Sequence, residues 1–108
     1  MRVNDDLIEI HCAVPTKKAG KKIARHLVEK GLCVCVNLLP KMDSFYIYEG
    51  AFCEDKEHLL LIKTDKAHFK AVEKAIIKRH PYTLPEIIAL PVTRVSKEYY
   101  EWVRTSLI

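Results

Sequence analysis

The sequence lacks any apolar run of the roughly 18 residues that a membrane-spanning helix requires, and it has no Gly/Ser-rich linker, repeat or low-complexity tract. Its first six residues include two acids, Asp5 and Asp6, where a secretory signal needs an apolar core. We therefore expect a cytoplasmic protein without membrane association. A chain of 108 residues with no linker predicts a single domain, residues 1–108.

Compact metal-binding signatures are absent as well. The four cysteines include no C-x-x-C pair, and the five histidines include no H-x-x-x-H pair. In a reducing compartment the cysteines are expected as free thiols: Cys12, Cys33, Cys35 and Cys53. Cys33 and Cys35 are expected on the same side of one strand, where packing is favoured over a metal clip. Cys53 is expected in an exposed turn.

The net charge of +4 does not by itself indicate nucleic-acid binding. The basic residues of the chain recur at helical spacing, which is typical of solvated helix faces. RNA-recognition sheets also need aromatic residues on their central strands, and Leu7–Val14 has none. We therefore expect no nucleic-acid partner.

Hydrophobic periodicity and turn residues predict the order β-α-β-β-α-β followed by a helix. Thr16 is a plausible helix N-cap, and Gly31 a natural helix stop. The predicted strands and extended segments are Leu7–Val14, Cys33–Leu39, Ser44–Phe52, His58–Thr64 and Glu86–Val92, and the predicted helices are Lys17–Lys30, Ala67–Arg79 and Lys97–Ser106. The fold class is α+β: a ferredoxin-like βαββαβ antiparallel sheet with two helices on one face, an extended hairpin arm and a short C-terminal helix.

Several predicted strands are apolar on both faces, although the helices can cover only one. These strands contain Val34–Val36, Leu59–Ile62 and Ile87–Leu90. Exposing a Leu or Ile side chain forfeits roughly 1.5–3 kcal/mol. The second face is therefore expected to pack against other copies of the chain, with the aromatic arm reaching across the interface.

Five segments together resemble the CutA divalent-cation-tolerance family. They are IHCAVP at 10–15, CVNLLP at 35–40, YEG at 48–50, LIKT at 61–64 and HPYTLPEI at 80–87. The resemblance covers about residues 7–106. It implies a ferredoxin-like subunit in a compact homotrimer, with an architecture akin to the PII signalling proteins. It also implies a cytoplasmic role linked to copper and other divalent metals, and it carries over no catalysed reaction, because none is established for the family.

The resemblance also implies metal ligands. Cys12 matches the cysteine that ends the first strand, and His80 matches the second of two adjacent histidines before Pro-Tyr. The first of these histidines is replaced by Arg79, whose guanidinium cannot ligate a metal, and Tyr48 stands where the family commonly has tryptophan. A thiolate and an imidazole together suit copper or zinc.

The chain direction predicts that Cys12 and His80 are far apart within one subunit. We place His80 at the far end of a helix that starts near Cys12, roughly 20 Å away at 1.5 Å per residue. A shared site would then need a neighbouring subunit. Each residue also has a structural alternative, because Cys12 shares a face with core residues and His80 suits a helix C-terminus.

A signalling or scaffold module similar to the PII proteins is the alternative function. It would bind a small anionic ligand in clefts between subunits. The candidate cleft residues are Cys35, Tyr48, Glu49, Lys63, Arg79 and Tyr82. An enzyme is not expected, because no Ser-His-Asp set can be placed and the loop after the first strand, Pro15–Lys18, has no arginine for a phosphate.

Overall fold

The computed structural model describes residues 2–3 and 6–108, with side chains from residue 6 onward. The predicted polar N-terminal segment therefore lies largely outside the described residues. The elements are β1 Arg2–Val3, β2 Leu7–Val14, α1 Lys17–Glu29, β3 Cys35–Tyr48, β4 Ala51–Asp65, a 3-10 turn Lys66–His68, α2 Phe69–Arg79, β5 Ile88–Pro91, β6 Arg94–Val95 and α3 Lys97–Ser106. Among the described residues no helix is both long and apolar enough to cross a bilayer.

Four of the strands form one antiparallel sheet in the order β3-β4-β2-β5. A central pair, β2 and β4, is therefore flanked by β3 on one side and β5 on the other. This order, with both long helices on one face, is the ferredoxin-like arrangement. The predicted fold class is confirmed.

The core lies between the sheet and helices α1 and α2. Every second residue of β2 points into it, as the alternation predicts. This side of β2 and β4 is fully buried at Ile10, Cys12, Val14, Leu60 and Ile62. Each helix contributes a narrow stripe, Gly20, Ile23 and Leu27 from α1 and Val72, Ala75 and Ile76 from α2.

The predicted ends of α1 are confirmed. The Thr16 hydroxyl accepts a hydrogen bond from the Ala19 N–H at 3.1 Å. At the other end Gly31 adopts φ +69°, and the Gly31 and Leu32 N–H groups donate to the carbonyls of Val28 and Leu27, both at 3.0 Å. This pair of bonds is a Schellman motif. The motif favours glycine because one residue adopts the left-handed conformation, in which any other residue would have a steric cost from its Cβ.

The arm is longer than predicted and is a continuous hairpin of β3 and β4. We expected the strand to end at Pro40, but a bulge between Leu39 and Met42 takes Pro40 out of the ladder and the pairing resumes. A proline has no N–H to donate, so a bulge is where a strand tolerates it. Cys53 was predicted in a turn; it lies within β4, paired with Tyr46. The turn itself is Glu49-Gly50.

Other predicted boundaries need smaller corrections. The last sheet strand is Ile88–Pro91 and not Glu86–Val92, because only these residues pair with Ile8–His11. The second long helix begins at Phe69, after the 3-10 turn that the Asp65 side chain caps. Two apolar helix residues lie outside the core, since Val28 of α1 and Ile77 of α2 are 44% and 55% exposed. Each lies one residue beyond its buried stripe, which turns it about 100° away from the sheet.

Helix α3 covers one end of the second sheet face. Ser96 caps it by accepting from the Tyr99 N–H at 3.3 Å. Val103 is buried against Leu7 and Val34, and Arg104 donates to Asp65 at 2.7 Å. Strands β1 and β6 form a short two-stranded sheet that the sequence did not predict. Strand β6 directly precedes α3 in the chain.

The rest of the second face is uncovered in one subunit. Its large apolar side chains include Leu39, Ile88 and Leu90, which are 39%, 50% and 42% exposed. A polar row crosses its middle, where His11 Nε2 donates to Glu9 at 2.8 Å and the Lys63 ammonium donates to Asn37. The face predicted to be apolar is therefore apolar around a polar centre.

Candidate functional site

A cavity of about 520 Å³ lies at the C-terminal end of β2, where the arm faces the segment that follows α2. We call it the arm pocket. Its lining consists of Ala13, Met42, Ser44, Phe45, Tyr46, Tyr48, Glu57, Tyr82, Thr83, Leu84 and Glu86. Four of these side chains are aromatic and two are carboxylates. The arm pocket is therefore aromatic and acidic, and no Lys, Arg or His among the described residues lines it.

Each of two carboxylates at the arm is held by a tyrosine. Glu57 is only 6% exposed and accepts a hydrogen bond from the Tyr82 hydroxyl at 2.7 Å. Burial, followed by this bond, raises the pKa of Tyr82 above its ordinary value. The Tyr46 hydroxyl donates to Asp55, which with burial raises the pKa of Tyr46 to about 12. Both phenols therefore remain protonated hydrogen-bond donors at neutral pH.

His80 lies directly beside the end of β2, and the predicted separation of roughly 20 Å from Cys12 is wrong. Its Nε2–H donates to the carbonyl of Ala13 at 2.8 Å. The prediction was wrong because it placed the start of α2 near Cys12. Because β4 runs antiparallel to β2, it ends beside Leu7 and not beside Val14. Helix α2 then returns along the sheet and brings His80 to the residue that follows Cys12.

The ring of His80 is engaged at both nitrogens. While Nε2 donates to Ala13, Nδ1 accepts from the Tyr82 N–H at 3.0 Å. This pattern defines the neutral tautomer with its proton on Nε2. His80 thereby fixes the segment that carries Tyr82 into the arm pocket. The predicted structural alternative for His80 was a helix cap; its observed role is to join the end of α2 to β2.

Cys12 lies in the core behind the arm pocket and has no exposed surface. Burial, followed by the negative charges of Glu86 and Glu57, raises the pKa of its thiol to about 12. A metal ligand must be a thiolate, and this thiol is protonated at neutral pH. The thiol donates a hydrogen bond to the Ala13 carbonyl, at 3.8 Å.

These side chains do not form a ready-made metal site. Among residues 6–108 no three His, Cys, Asp or Glu side chains are grouped so as to hold an ion. Cys12 would have to lose a proton, and His80 would have to give up one of its two hydrogen bonds, before either could ligate. Metal ligation by Cys12 and His80 stays a prediction that requires local rearrangement.

The predicted cleft residues divide among three places in one subunit. Tyr48 and Tyr82 line the arm pocket, and Glu49 lies next to it in the hairpin turn with φ +50°. Cys35 and Lys63 pair with each other at the far end of the sheet. Arg79 donates to the Ala75 carbonyl of its own helix at 3.1 Å. The structure therefore brings no basic candidate to the arm pocket.

Sequence reasoning missed the carboxylates of the arm pocket, Glu57 and Glu86. Glu86 belongs to the HPYTLPEI segment and was quoted there only as part of a motif. Glu57 directly precedes the predicted strand His58–Thr64 and carries no local signal, because its burial depends on Tyr82, 25 residues away in sequence. The contact between Glu57 and Tyr82 arises only from the pairing of the arm strands and the position of α2.

The chain is similar throughout to proteins named for divalent cation tolerance. Residues 8–106 match the family model described as CutA1 divalent ion tolerance protein. The divalent-cation tolerance protein CutA of Thermus thermophilus is 42% identical over 91 residues, which are 84% of this chain and 88% of that protein. The chloroplastic protein CutA of Arabidopsis thaliana is 39% identical over 92% of this chain, but the chain spans only 54% of its length.

Solved structures agree over nearly the whole chain. The divalent cation tolerance protein of Thermus thermophilus has a TM-score of 0.92 at 37% identity, covering 94% of this chain and 99% of that one. CutA from Synechococcus elongatus has a TM-score of 0.93 at 30% identity, covering 99% and 95%. Match to the family model, sequence identity and fold coincide over the same residues. The chain therefore belongs to the CutA divalent-cation-tolerance family.

Proposed function

We propose that the protein acts in divalent cation tolerance as a cytoplasmic homotrimer that binds copper or another divalent metal, without catalysing a reaction. The observation that carries the proposal is that His80 lies beside Cys12 at one end of the sheet, so that a local rearrangement would let both side chains ligate. His80 is hydrogen-bonded to the residue after Cys12, and burial, followed by the negative charges of Glu86 and Glu57, raises the pKa of Cys12. A thiolate and an imidazole together suit copper and zinc.

A closed assembly is supported by the uncovered second sheet face. Leu39, Ile88 and Leu90 surround a polar row on this face. The arm adds a further exposed apolar surface, with Phe45, Ile47 and Phe52 61%, 71% and 68% exposed. Monomers rarely leave so much apolar surface to water, and cyclic closure is the usual way to cover it. We propose the trimer because the family resemblance implies it.

An anionic cleft ligand is the weaker alternative. It needs basic residues where the tyrosines are, and Lys63 and Arg79 lie elsewhere in the subunit. The arm pocket instead has two carboxylates. Its charge favours a cation.

The test of metal binding is an anaerobic titration of the full chain with copper(II) and with zinc(II), in competition with a chromophoric chelator. Because Cys12 must lose its proton to ligate, we expect binding to release protons and the affinity to rise with pH between 6 and about 9. Cys12→Ser and His80→Ala are each expected to weaken binding about tenfold or more.

Cys53→Ser is the matched control, since it removes a thiol from the arm and leaves Cys12 intact. It should bind as the unmodified chain does. Circular dichroism and native mass of every variant separate loss of a ligand from loss of the fold. Equal affinity of the Cys12→Ser, His80→Ala and unmodified proteins, at all pH values, would contradict the proposed site.

A further inference from the structure

We propose that the arm pocket is a binding site for a small organic cation, a molecule with an ammonium group on a compact apolar body. This goes beyond divalent metal binding, because it requires no metal and uses neither Cys12 nor His80 as a ligand. The argument rests on the charge, the aromatic lining and the size of the arm pocket.

The charge of the arm pocket is uncompensated within the subunit. Glu57 is 6% exposed, and its hydrogen-bond partner is the neutral hydroxyl of Tyr82. Among residues 6–108 no Lys, Arg or His comes within ion-pair distance of Glu57 or Glu86. A carboxylate taken out of water interacts strongly with any cation that reaches it. An anionic ligand would meet repulsion at the same place.

The walls of the arm pocket suit an ammonium group better than a metal ion. Tyr46, Tyr48 and Tyr82 contribute aromatic rings to the lining. Aromatic faces attract alkylated ammonium groups through their quadrupoles, and such groups carry apolar surface that the rings can cover. A bare divalent ion needs several donor atoms at once, and no group of three candidate ligands is present among the described residues.

The size of the arm pocket agrees with this ligand class. A volume of about 520 Å³ falls within the usual range of small-molecule sites. It exceeds what a single ion fills. It accommodates an ammonium group against Glu57 while the apolar body lies along Tyr48 and Tyr82.

Calorimetric titration of the full chain in its native oligomeric state, with a metal chelator present, tests the proposal. The probes are choline, a quaternary ammonium, and putrescine, a primary diamine, in separate titrations. Each is paired with its neutral analogue, in which carbon or hydroxyl replaces the charged nitrogen. We expect at least one cation to bind and its neutral analogue to bind about tenfold more weakly or not at all.

Three variants assign the binding to the arm pocket. Glu57→Gln keeps the size of the side chain and an acceptor for Tyr82, and it should weaken cation binding about tenfold or more. Tyr48→Leu should weaken it as well, without removing a charge. Glu101→Gln, on the exposed side of α3, makes the same charge change outside the arm pocket and should have no effect.

Three results would overturn the proposal: no binding of either cation, equal binding of a neutral analogue, or equal loss in Glu57→Gln and Glu101→Gln. None of them bears on the metal titration, which uses different ligands and variants. Loss of metal binding in Cys12→Ser would likewise leave the choline and putrescine titrations unchanged. The two proposals therefore fail separately.

Discussion

At the residue scale, Cys12 lies in the core with its thiol fully buried and protonated. Burial, followed by the negative charges of Glu86 and Glu57, raises the pKa of this thiol to about 12. The thiolate fraction at neutral pH, and with it the rate of alkylation, is therefore strongly reduced. Iodoacetamide should modify Cys53 in the arm first and leave Cys12 and Cys33 unmodified while the protein stays folded.

Mass spectrometry of peptides after timed alkylation measures this order directly. In denaturant all four cysteines should react at similar rates, which serves as the control. Rapid modification of Cys12 in the folded chain would contradict its placement in the core.

Asp65 joins three parts of the structure. It caps the 3-10 turn, contacts the ring of His68 at 2.6 Å and accepts from Arg104 of α3 at 2.7 Å. Burial alone would raise its pKa, but the hydrogen bonds from His68 and Arg104 hold the pKa below its ordinary value. Replacing Asp65 by Asn should lower the free energy of unfolding by roughly 1–3 kcal/mol at neutral pH.

The pH dependence of this loss has a definite sign. A carboxylate whose pKa is lowered on folding contributes stability above its unfolded pKa, and that contribution disappears as the pH falls through its folded value. The difference between the two proteins should therefore shrink below about pH 4. Urea unfolding across pH tests this, with Asp43→Asn, in the exposed pair with Lys56, as a control worth about 0.5 kcal/mol or less. A constant difference at all pH values would contradict the explanation.

At the scale of elements, the arm depends on a two-residue turn in which both residues have positive φ, +50° at Glu49 and +81° at Gly50. This conformation suits Asn-Gly, whereas a glutamate is strained in it. Glu49→Asn should therefore stabilise the protein by about 1 kcal/mol. Gly50→Ala should have the opposite effect, although a Cβ there would meet no atom within 4 Å.

Urea midpoints of the two variants, measured at equal protein concentration, check the opposite signs. Stabilisation by Gly50→Ala, or destabilisation by Glu49→Asn, would mean that the turn is set by contacts outside the hairpin and not by its own backbone.

Among the elements, the sequence predicted those with local signals and missed those that depend on distant partners. Alternation in Leu7–Val14, the Thr16 cap and the Gly31 stop are local signals, and the structure confirms them. The continuation of β3 past Pro40 depends on its partner β4, which no local pattern reveals. The position of His80 depends on the direction in which β4 and α2 run. The pairing of Glu57 with Tyr82 depends on both, so the acidic side of the site was missed.

At the scale of the whole molecule, the polar row and the apolar rim of the second face make a specific prediction about assembly. Leu90 is 42% exposed and pairs with Glu9, at the edge of the polar row. If this face is the subunit interface, Leu90→Asp buries an unpaired charge that costs several kcal/mol or more. The variant should dissociate, and its mass by light scattering should fall from that of a trimer to that of one chain.

Ile77→Asp is the matched control, because Ile77 is 55% exposed on the helix side of the same subunit. It introduces the same charge at an apolar, solvent-exposed position and should leave the mass of the assembly unchanged. Dissociation of both variants would indicate a general loss of stability, whereas retention of the trimer in Leu90→Asp would exclude the second sheet face as the interface. Dissociation of Leu90→Asp alone would identify the surface that the strands leave uncovered as the one that other copies of the chain cover.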